Sequence, residues 1–224
     1  MKKNPLIVAD SRNATQMPMD RRPPEPLVGA EFETAAAEFR QLPPAGAPEI
    51  AFAGRSNSGK SSAINALARR TRLAFSSRTP GRTQQINFFR LRSGAVITDL
   101  PGYGYAAVPH ALKRGWQALL WDYVTTRGTL IAMVLLVDSR HGLRPQDEDL
   151  LAGFLPSGRP VLILATKVDK LNQSQRREAV VAIAARLGQA FPMQADAVSV
   201  VAFSATSRLG IAEADAALAR WLEL

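Results

Sequence analysis

The stretch Gly54-Arg55-Ser56-Asn57-Ser58-Gly59-Lys60-Ser61 restricts what this chain can fold into more than any other. It is the G-x-x-x-x-G-K-[ST] pattern, and it stands between an apolar run, Glu49 to Ala53, and a segment of helical spacing that begins at Lys60. Glycine at both ends lets the backbone curl so that successive N–H groups converge on a phosphate at the positive end of the helix. Lys60 can then meet the outer phosphate oxygens, the Ser61 hydroxyl a Mg²⁺ ion, and the Ser62 hydroxyl an inner phosphate. Strand, wrapping loop and helix in that order call for an α/β fold with the loop at the C-terminal edge of a sheet.

The rest of the chain alternates accordingly. Apolar or alternating runs of strand length lie near Gln85 to Arg92, Ala95 to Asp99, Thr129 to Val137, Pro160 to Thr166 and Val198 to Phe203. Spacing nearer 3.6 marks helices over Lys60 to Arg70, Pro109 to Arg127, Gln146 to Leu155, Ser174 to Leu187 and Gly210 to Leu222. A further short helix is expected over Ala30 to Phe39. Ser93-Gly94 is too short for anything but a hairpin, so one strand pair is antiparallel and the others need helical crossovers. The expected fold is a mixed, mostly parallel six-stranded sheet with helices on both faces. Residues 1–26 are polar and without sustained period, which suggests a flexible tail before a single domain over 27–224. Trp116, Trp121 and Tyr123, at helical spacing, suit the core better than a stacking surface.

Two further boxes stand in register with the first. Val96-Ile97-Thr98-Asp99-Leu100-Pro101-Gly102 puts a carboxylate at a strand end and a glycine three residues on. Asp99 suits Mg²⁺ held through water, and the Gly102 N–H suits a γ-phosphate. Between these boxes, Gly81, Arg82, Thr83, Gln84 and Gln85 form a polar loop in which Thr83 is the candidate second hydroxyl on Mg²⁺. A loop held by metal and γ-phosphate is released on hydrolysis, which is a switch. Lys60, Thr83 and Gly102 are thus the candidate catalytic groups.

Thr166-Lys167-Val168-Asp169 follows the apolar strand that ends at Ala165. A carboxylate at Asp169 can accept from guanine N1–H and N2–H₂ together, a donor pair adenine lacks. The Lys167 stem can lie along the base or along the phosphate loop; both readings stay open. Phe203-Ser204-Ala205 ends the last strand, where a backbone N–H can meet guanine O6.

The formal net charge of +9 favours polyanionic partners such as nucleic acid, although an Arg-rich proteome would give the same balance. The absence of cysteine excludes disulfides, thiolate metal sites and cysteine nucleophiles. No apolar run approaches the roughly 20 residues of a membrane-crossing helix. No basic amphipathic helix or lipidation motif points to membrane attachment. A soluble, cytoplasmic monomer is expected.

With these boxes in order, the chain resembles the translation-factor-related small GTPases, and its wording resembles the EngB (YihA/YsxC) family of bacterial GTPases. The segments that carry the likeness are Pro48 to Asn57, Pro80-Gly81-Arg82-Thr83-Gln84, Asn87-Phe88-Phe89, Asp99 to Tyr105, Asp138-Ser139-Arg140-His141 and Thr166 to Lys170. Thr166, where many GTPases have Asn, and the two tyrosines after Gly102 are distinctive of that family. Arg82 and Ser58 stand where the family more often has Lys and Val. The resemblance implies a Ras-like fold, binding of GTP and GDP with Mg²⁺, participation in assembly of the large ribosomal subunit through that subunit or its rRNA, and a link to cell division and septation.

Ras-type proteins orient the attacking water with a Gln directly after the Asp-x-x-Gly box, and here that residue is Tyr103. Slow intrinsic hydrolysis is expected, with Tyr103 and Tyr105 as interface candidates. Asn57 occupies the cradle position where cation-activated relatives hold K⁺; a K⁺ ligand and a loop-tuning hydrogen bonder are the two readings. An ATP-using P-loop enzyme and a GTP-gated module without catalysis are the rival classes.

Overall fold

The computed structural model describes residues 24–75, 85–104 and 110–224. The expected tail, but for its last three residues, and the loop residues Gly81, Arg82, Thr83 and Gln84 lie outside the described residues, as does Tyr105. Seven strands form one sheet: β1 (Glu31–Ala36), β2 (Glu49–Gly54), β3 (Ile86–Arg90), β4 (Val96–Asp99), β5 (Leu130–Asp138), β6 (Val161–Thr166) and β7 (Val198–Ala202). Their order is β1-β3-β4-β2-β5-β6-β7. The helices are α1 (Lys60–Leu67), α2 (His110–Thr126), α3 (Pro145–Phe154), α4 (Gln173–Ala190) and α5 (Ile211–Trp221).

β2, β4, β5, β6 and β7 pair in parallel, and β3 runs antiparallel to β4 as the Ser93-Gly94 turn requires. Gly94 supplies the positive φ of that turn, +86°. The expected helix over Ala30 to Phe39 is instead β1, antiparallel to β3, with Phe32 opposite Phe89 and Ala36 opposite Ile86. Local helix preference of the alanines loses to the open edge of β3, which offers a row of unpaired backbone groups. The sheet therefore has seven strands, not six.

α1 is also shorter than its spacing suggested. It ends at Leu67, and Arg69 turns left-handed at φ +54°. The Asn65 side chain stops it: its amide donates to the Ala74 carbonyl (2.8 Å), and its oxygen accepts from the N–H groups of Leu73 (2.9 Å) and Ala74 (2.8 Å).

The sheet carries a core on each face. α1 and α5 cover Ile50, Phe52, Val134 and Leu136, while α2, α3 and α4 cover Ala51, Ala53, Met133 and Leu135. Alternate residues of β2 and β5 thus enter opposite cores, as a doubly covered parallel sheet demands. Tyr123 is fully buried, whereas Trp121 is 47% exposed and does not belong to the core. At the N-terminal end of β2, buried Glu49 accepts from Arg127 Nη2 (2.5 Å), Thr129 Oγ1 (2.7 Å) and Tyr123 Oη (2.6 Å). Such a fully partnered buried charge fixes α2 and β5 against β2. It lies at the edge of the sheet opposite the candidate site.

Candidate functional site

Gly54, Asp99, Asp138 and Thr166 are the last residues of β2, β4, β5 and β6, so the parallel strands deliver them to one edge. The loop from Gly54 to Lys60 wraps there. A Cβ on Gly54 would lie 2.6 Å from Ser58 Oγ and 2.9 Å from the Leu136 carbonyl, so no side chain fits. Asn57 (φ +64°) and Gly59 (φ +96°) provide the left-handed turns that close the loop onto α1. Ser61 and Ser62 follow in the first turn of that helix, beside its positive end.

Lys60 Nζ pairs with Asp99 Oδ1, joining the first helical residue to the end of β4. The lysine side chain is 12% and the carboxylate 6% exposed, so the pair is well removed from water. Ser61 and Asp99 offer the hydroxyl and the carboxylate that a hard divalent ion takes together with waters and phosphate oxygens, and the Lys60 ammonium suits the phosphate oxygens themselves. Leu100 and Pro101 are buried, and the Leu100 N–H donates to the Phe52 carbonyl (2.9 Å), which aims the following turn at the loop. A Cβ on Gly102 would lie 3.2 Å from Ser56 Oγ. The Tyr103 carbonyl accepts from Ser56 N–H (2.8 Å) and Ser56 Oγ (3.2 Å), so this turn lies directly against the phosphate loop.

Tyr103 is not an exposed interface residue. It is 4% exposed, and its hydroxyl donates to Asp147 Oδ1 (2.7 Å) at the start of α3. Asp147 also accepts from the Arg144 N–H (2.9 Å), capping that helix. Burial raises the pKa of both groups; their mutual proximity raises that of the phenol further, while the phenol bond pulls the carboxyl back down. The Arg55 guanidinium lies beside them, with its Nε buried and 3.1 Å from where a Cβ on Gly104 would stand.

The Thr166-Lys167-Val168-Asp169 segment is bolted to the same loop. Thr166 Oγ1 donates to the Ser58 carbonyl (2.5 Å), with the Val137 carbonyl at 3.2 Å. Lys167, left-handed at φ +62°, donates from Nζ to the Asn57 carbonyl (2.5 Å) and pairs with Asp138 (2.9 Å). Of its two open readings, the stem therefore lies along the phosphate loop. Asp138 is also clamped by Arg140, at 2.9 and 2.7 Å; burial raises its pKa, but these cations and hydrogen bonds hold it well below the usual carboxylate range. A cavity of about 220 Å³ lies beside the loop, lined among others by Arg55, Asn57, Asp138, Arg140 and His141.

Val168 is fully buried, and its N–H reaches the Phe203 carbonyl (3.4 Å). Asp169 accepts from Ser204 Oγ (2.7 Å), which lowers its pKa, and buried Ser204 in turn accepts from the Ser207 N–H (3.0 Å). Phe203, Ser204 and Ala205 thus stand beside Asp169. Gln85 is exposed immediately before β3, at the end of the loop whose other residues lie outside the described ones. Sequence reading missed the Tyr103–Asp147 link and the Asp138 clamp, although Asp138-Ser139-Arg140-His141 at a strand end was visible as a signal.

A family model described as 50S ribosome-binding GTPase matches residues 49–167. A GTP-binding protein EngB of Azoarcus sp. (strain BH72) is 49% identical over 193 residues, which cover 86% of this chain and 91% of the relative. The chain belongs to the EngB family of GTPases. Among solved structures, an EngB protein matches with a TM-score of 0.62 at 21% identity, covering 78% of this chain and 98% of that one. Era, solved with MgGDPNP and nucleotides 1506–1542 of 16S ribosomal RNA, matches with a TM-score of 0.59 at 19% identity, covering 78% of this chain and 56% of that one. As an EngB GTPase the chain binds GTP and GDP and hydrolyses GTP. Among the described residues, no helix is long and apolar enough to cross a membrane.

Proposed function

We propose that the C-terminal edge of this sheet is the GTP site and that the chain is a slow, cytoplasmic, monomeric GTPase switch. Its work is in assembly of the large ribosomal subunit, with a consequent link to cell division and septation. The observation that carries the reading is the pair of bonds from Thr166 to the Ser58 carbonyl and from Lys167 to the Asn57 carbonyl. They make the phosphate loop and the base-reading segment one rigid unit, so a guanine held by Asp169 sets the phosphates against Lys60.

In this reading Gly54 to Ser62 cradle the phosphates through backbone N–H groups, and Lys60 neutralises charge on the outer oxygens. Ser61, Thr83 and, through water, Asp99 would hold Mg²⁺. When bound, the ion neutralises charge on the β- and γ-oxygens. The Gly102 N–H addresses the γ-phosphate, and Gly81, Arg82, Thr83, Gln84 and Gln85 are the further candidate contacts to the nucleotide. Leu100 and Pro101 hold the Gly102 turn in place. Val168, Phe203, Ser204 and Ala205 line the base. Tyr103 is buried with its hydroxyl committed to Asp147, so it orients no water; an unassisted rate on the order of 10⁻⁴ per second is expected, raised by a partner. A K⁺ ion at Asn57 is a second reading, and equal turnover in K⁺ and Na⁺ would reject it.

The net charge of +9 and the matching family model's description as a 50S ribosome-binding GTPase support a partner in the large subunit or its RNA. The test is co-sedimentation with ribosomal subunits in GDP and in a non-hydrolysable GTP analogue. Stronger binding to the large subunit in one nucleotide state is expected; equal or absent binding in both would overturn the switch.

A further inference from the structure

At the β1 edge of the sheet, a groove of about 580 Å³ opens between β1, the start of β3 and the chain that follows α1. That volume is within the roughly 300–1,000 Å³ of pockets that enclose small ligands. Buried Leu73 and Phe89 form its floor. Phe32, 59% exposed, and Phe75, 70% exposed, stand on its rim; they are two of the three exposed phenylalanines among the described residues. Phe32 meets Phe89 edge to face, with ring centroids 5.9 Å apart, which holds its ring in one orientation with a face left open.

We propose that this groove binds the bases of single-stranded RNA, stacked on Phe32 and Phe75, with the phosphates along Arg70 and Arg72. Stacking on aromatic rings beside a cationic track is how single strands are held without demand for one sequence. Arg70 is fixed for that purpose, its guanidinium donating to the Ala30 carbonyl (3.0 Å), and Arg72 is exposed. Glu31 also lines the groove and repels phosphate from its own side, so the strand runs along the arginine side. A peptide added as a new strand on β1 is the competing occupant. The register shift between Phe32 and Thr34 breaks the regular ladder that such addition needs, and exposed bases stack without one.

None of Phe32, Phe75, Arg70 and Arg72 is among the residues of the nucleotide site described above, so an RNA stacked on the two rings leaves guanine nucleotide in place. The proposal rests on the RNA partner proposed above, and it adds where that partner is held. The full chain, loaded with GDP, is titrated with a labelled single-stranded RNA of about ten nucleotides at low salt. Phe32→Ala and Phe75→Ala should each weaken binding on the order of tenfold, with Phe75→Trp restoring it. Arg72→Ala should reduce the salt dependence by about one counterion.

GDP affinity should be unchanged in all of these variants, and melting temperature in those of Phe75 and Arg72; Phe32→Ala loses its edge-to-face contact with Phe89 and should melt slightly lower. Wild-type affinity in both alanine variants would overturn the groove as the RNA site, and so would binding of an extended peptide in place of RNA. If wild-type co-sedimentation with the large subunit persists while those variants co-sediment equally well, the groove alone fails. If wild type shows no nucleotide-dependent co-sedimentation yet the alanine variants lose the oligonucleotide, the ribosome reading alone fails.

Discussion

Replacing Tyr103 with Phe separates anchoring from catalysis at the residue that follows the Asp-x-x-Gly box. The substitution keeps the buried ring and removes only the hydroxyl that donates to Asp147 Oδ1 at 2.7 Å. Asp147 is 1% exposed and keeps the Arg144 N–H on its other oxygen, so one lone pair of a buried carboxylate loses its donor. Hydrogen bonds to charged groups are worth about 1.5–3 kcal/mol, and a loss of about 2 kcal/mol in urea unfolding at neutral pH is expected, with the m-value unchanged.

The pH dependence has a definite sign. Burial already holds the Asp147 carboxyl above its ordinary range, and the phenol bond lowers it; without that bond the folded-state value rises further. A protonated carboxyl does not need the phenol proton. The deficit of Tyr103→Phe is therefore full above the variant's folded pKa and shrinks as pH falls through it, because the folded variant then binds the proton more readily than wild type. Single-turnover GTP hydrolysis should stay within about threefold of wild type, since no chemistry is assigned to the phenol. Unchanged stability together with a tenfold or greater fall in hydrolysis would refute the anchoring role.

Thr166→Val keeps the shape of the side chain but strips the hydroxyl from the Ser58 carbonyl; GDP affinity, followed by fluorescence titration, should fall about tenfold as the loop loses an anchor. Gly54→Ala should abolish nucleotide binding or folding, since its Cβ would lie 2.9 Å from the Leu136 carbonyl, and a thermal melt with and without GDP reads both. Asp215, 1% exposed beside Arg69 at 3.5 Å, has its pKa raised by burial to about 7 against an ordinary 3.8. The folded state then keeps a proton that the unfolded chain gives up, so stability falls between about pH 4 and pH 7. At roughly 1.4 kcal/mol per unit this amounts to on the order of 4 kcal/mol. Asp215→Asn should therefore be more stable than wild type at about pH 8 and lose that advantage by about pH 4, as chemical denaturation at the two values will show.

What could be read in advance was local. The Gly54 to Lys60 loop, the Asp99 to Gly102 turn and the Thr166 to Asp169 segment are each set by a few consecutive residues, and each sits at a strand end that its own apolar run announces. What could not be read depends on contacts between distant segments. β1 exists because β3 leaves an edge open, and the alanines of Ala35 to Ala37 carry no sign of that edge. Tyr103 and Asp147 are 44 residues apart, and Glu49 and Arg127 78 apart. Thr166 was noticed as an unusual residue, but its task became visible only where its hydroxyl met a carbonyl 108 residues earlier. Trp121 follows the helical spacing of its neighbours and is still 47% exposed, its indole resting against Gly153 of α3 at the rim of the core.

The base reader bears most directly on the central claim of a guanine-specific switch. Asp169 accepts from Ser204 Oγ at 2.7 Å, which lowers its pKa, and in the proposed site its carboxylate accepts from two guanine donors. Competition binding of GTP, xanthosine triphosphate and ATP to wild type and to Asp169→Asn measures that role. Wild type should prefer GTP over ATP, and the variant should lose GTP affinity by on the order of a hundredfold while gaining affinity for the xanthine nucleotide. Tight ATP binding by wild type, or an unchanged preference for GTP in Asp169→Asn, would contradict the account.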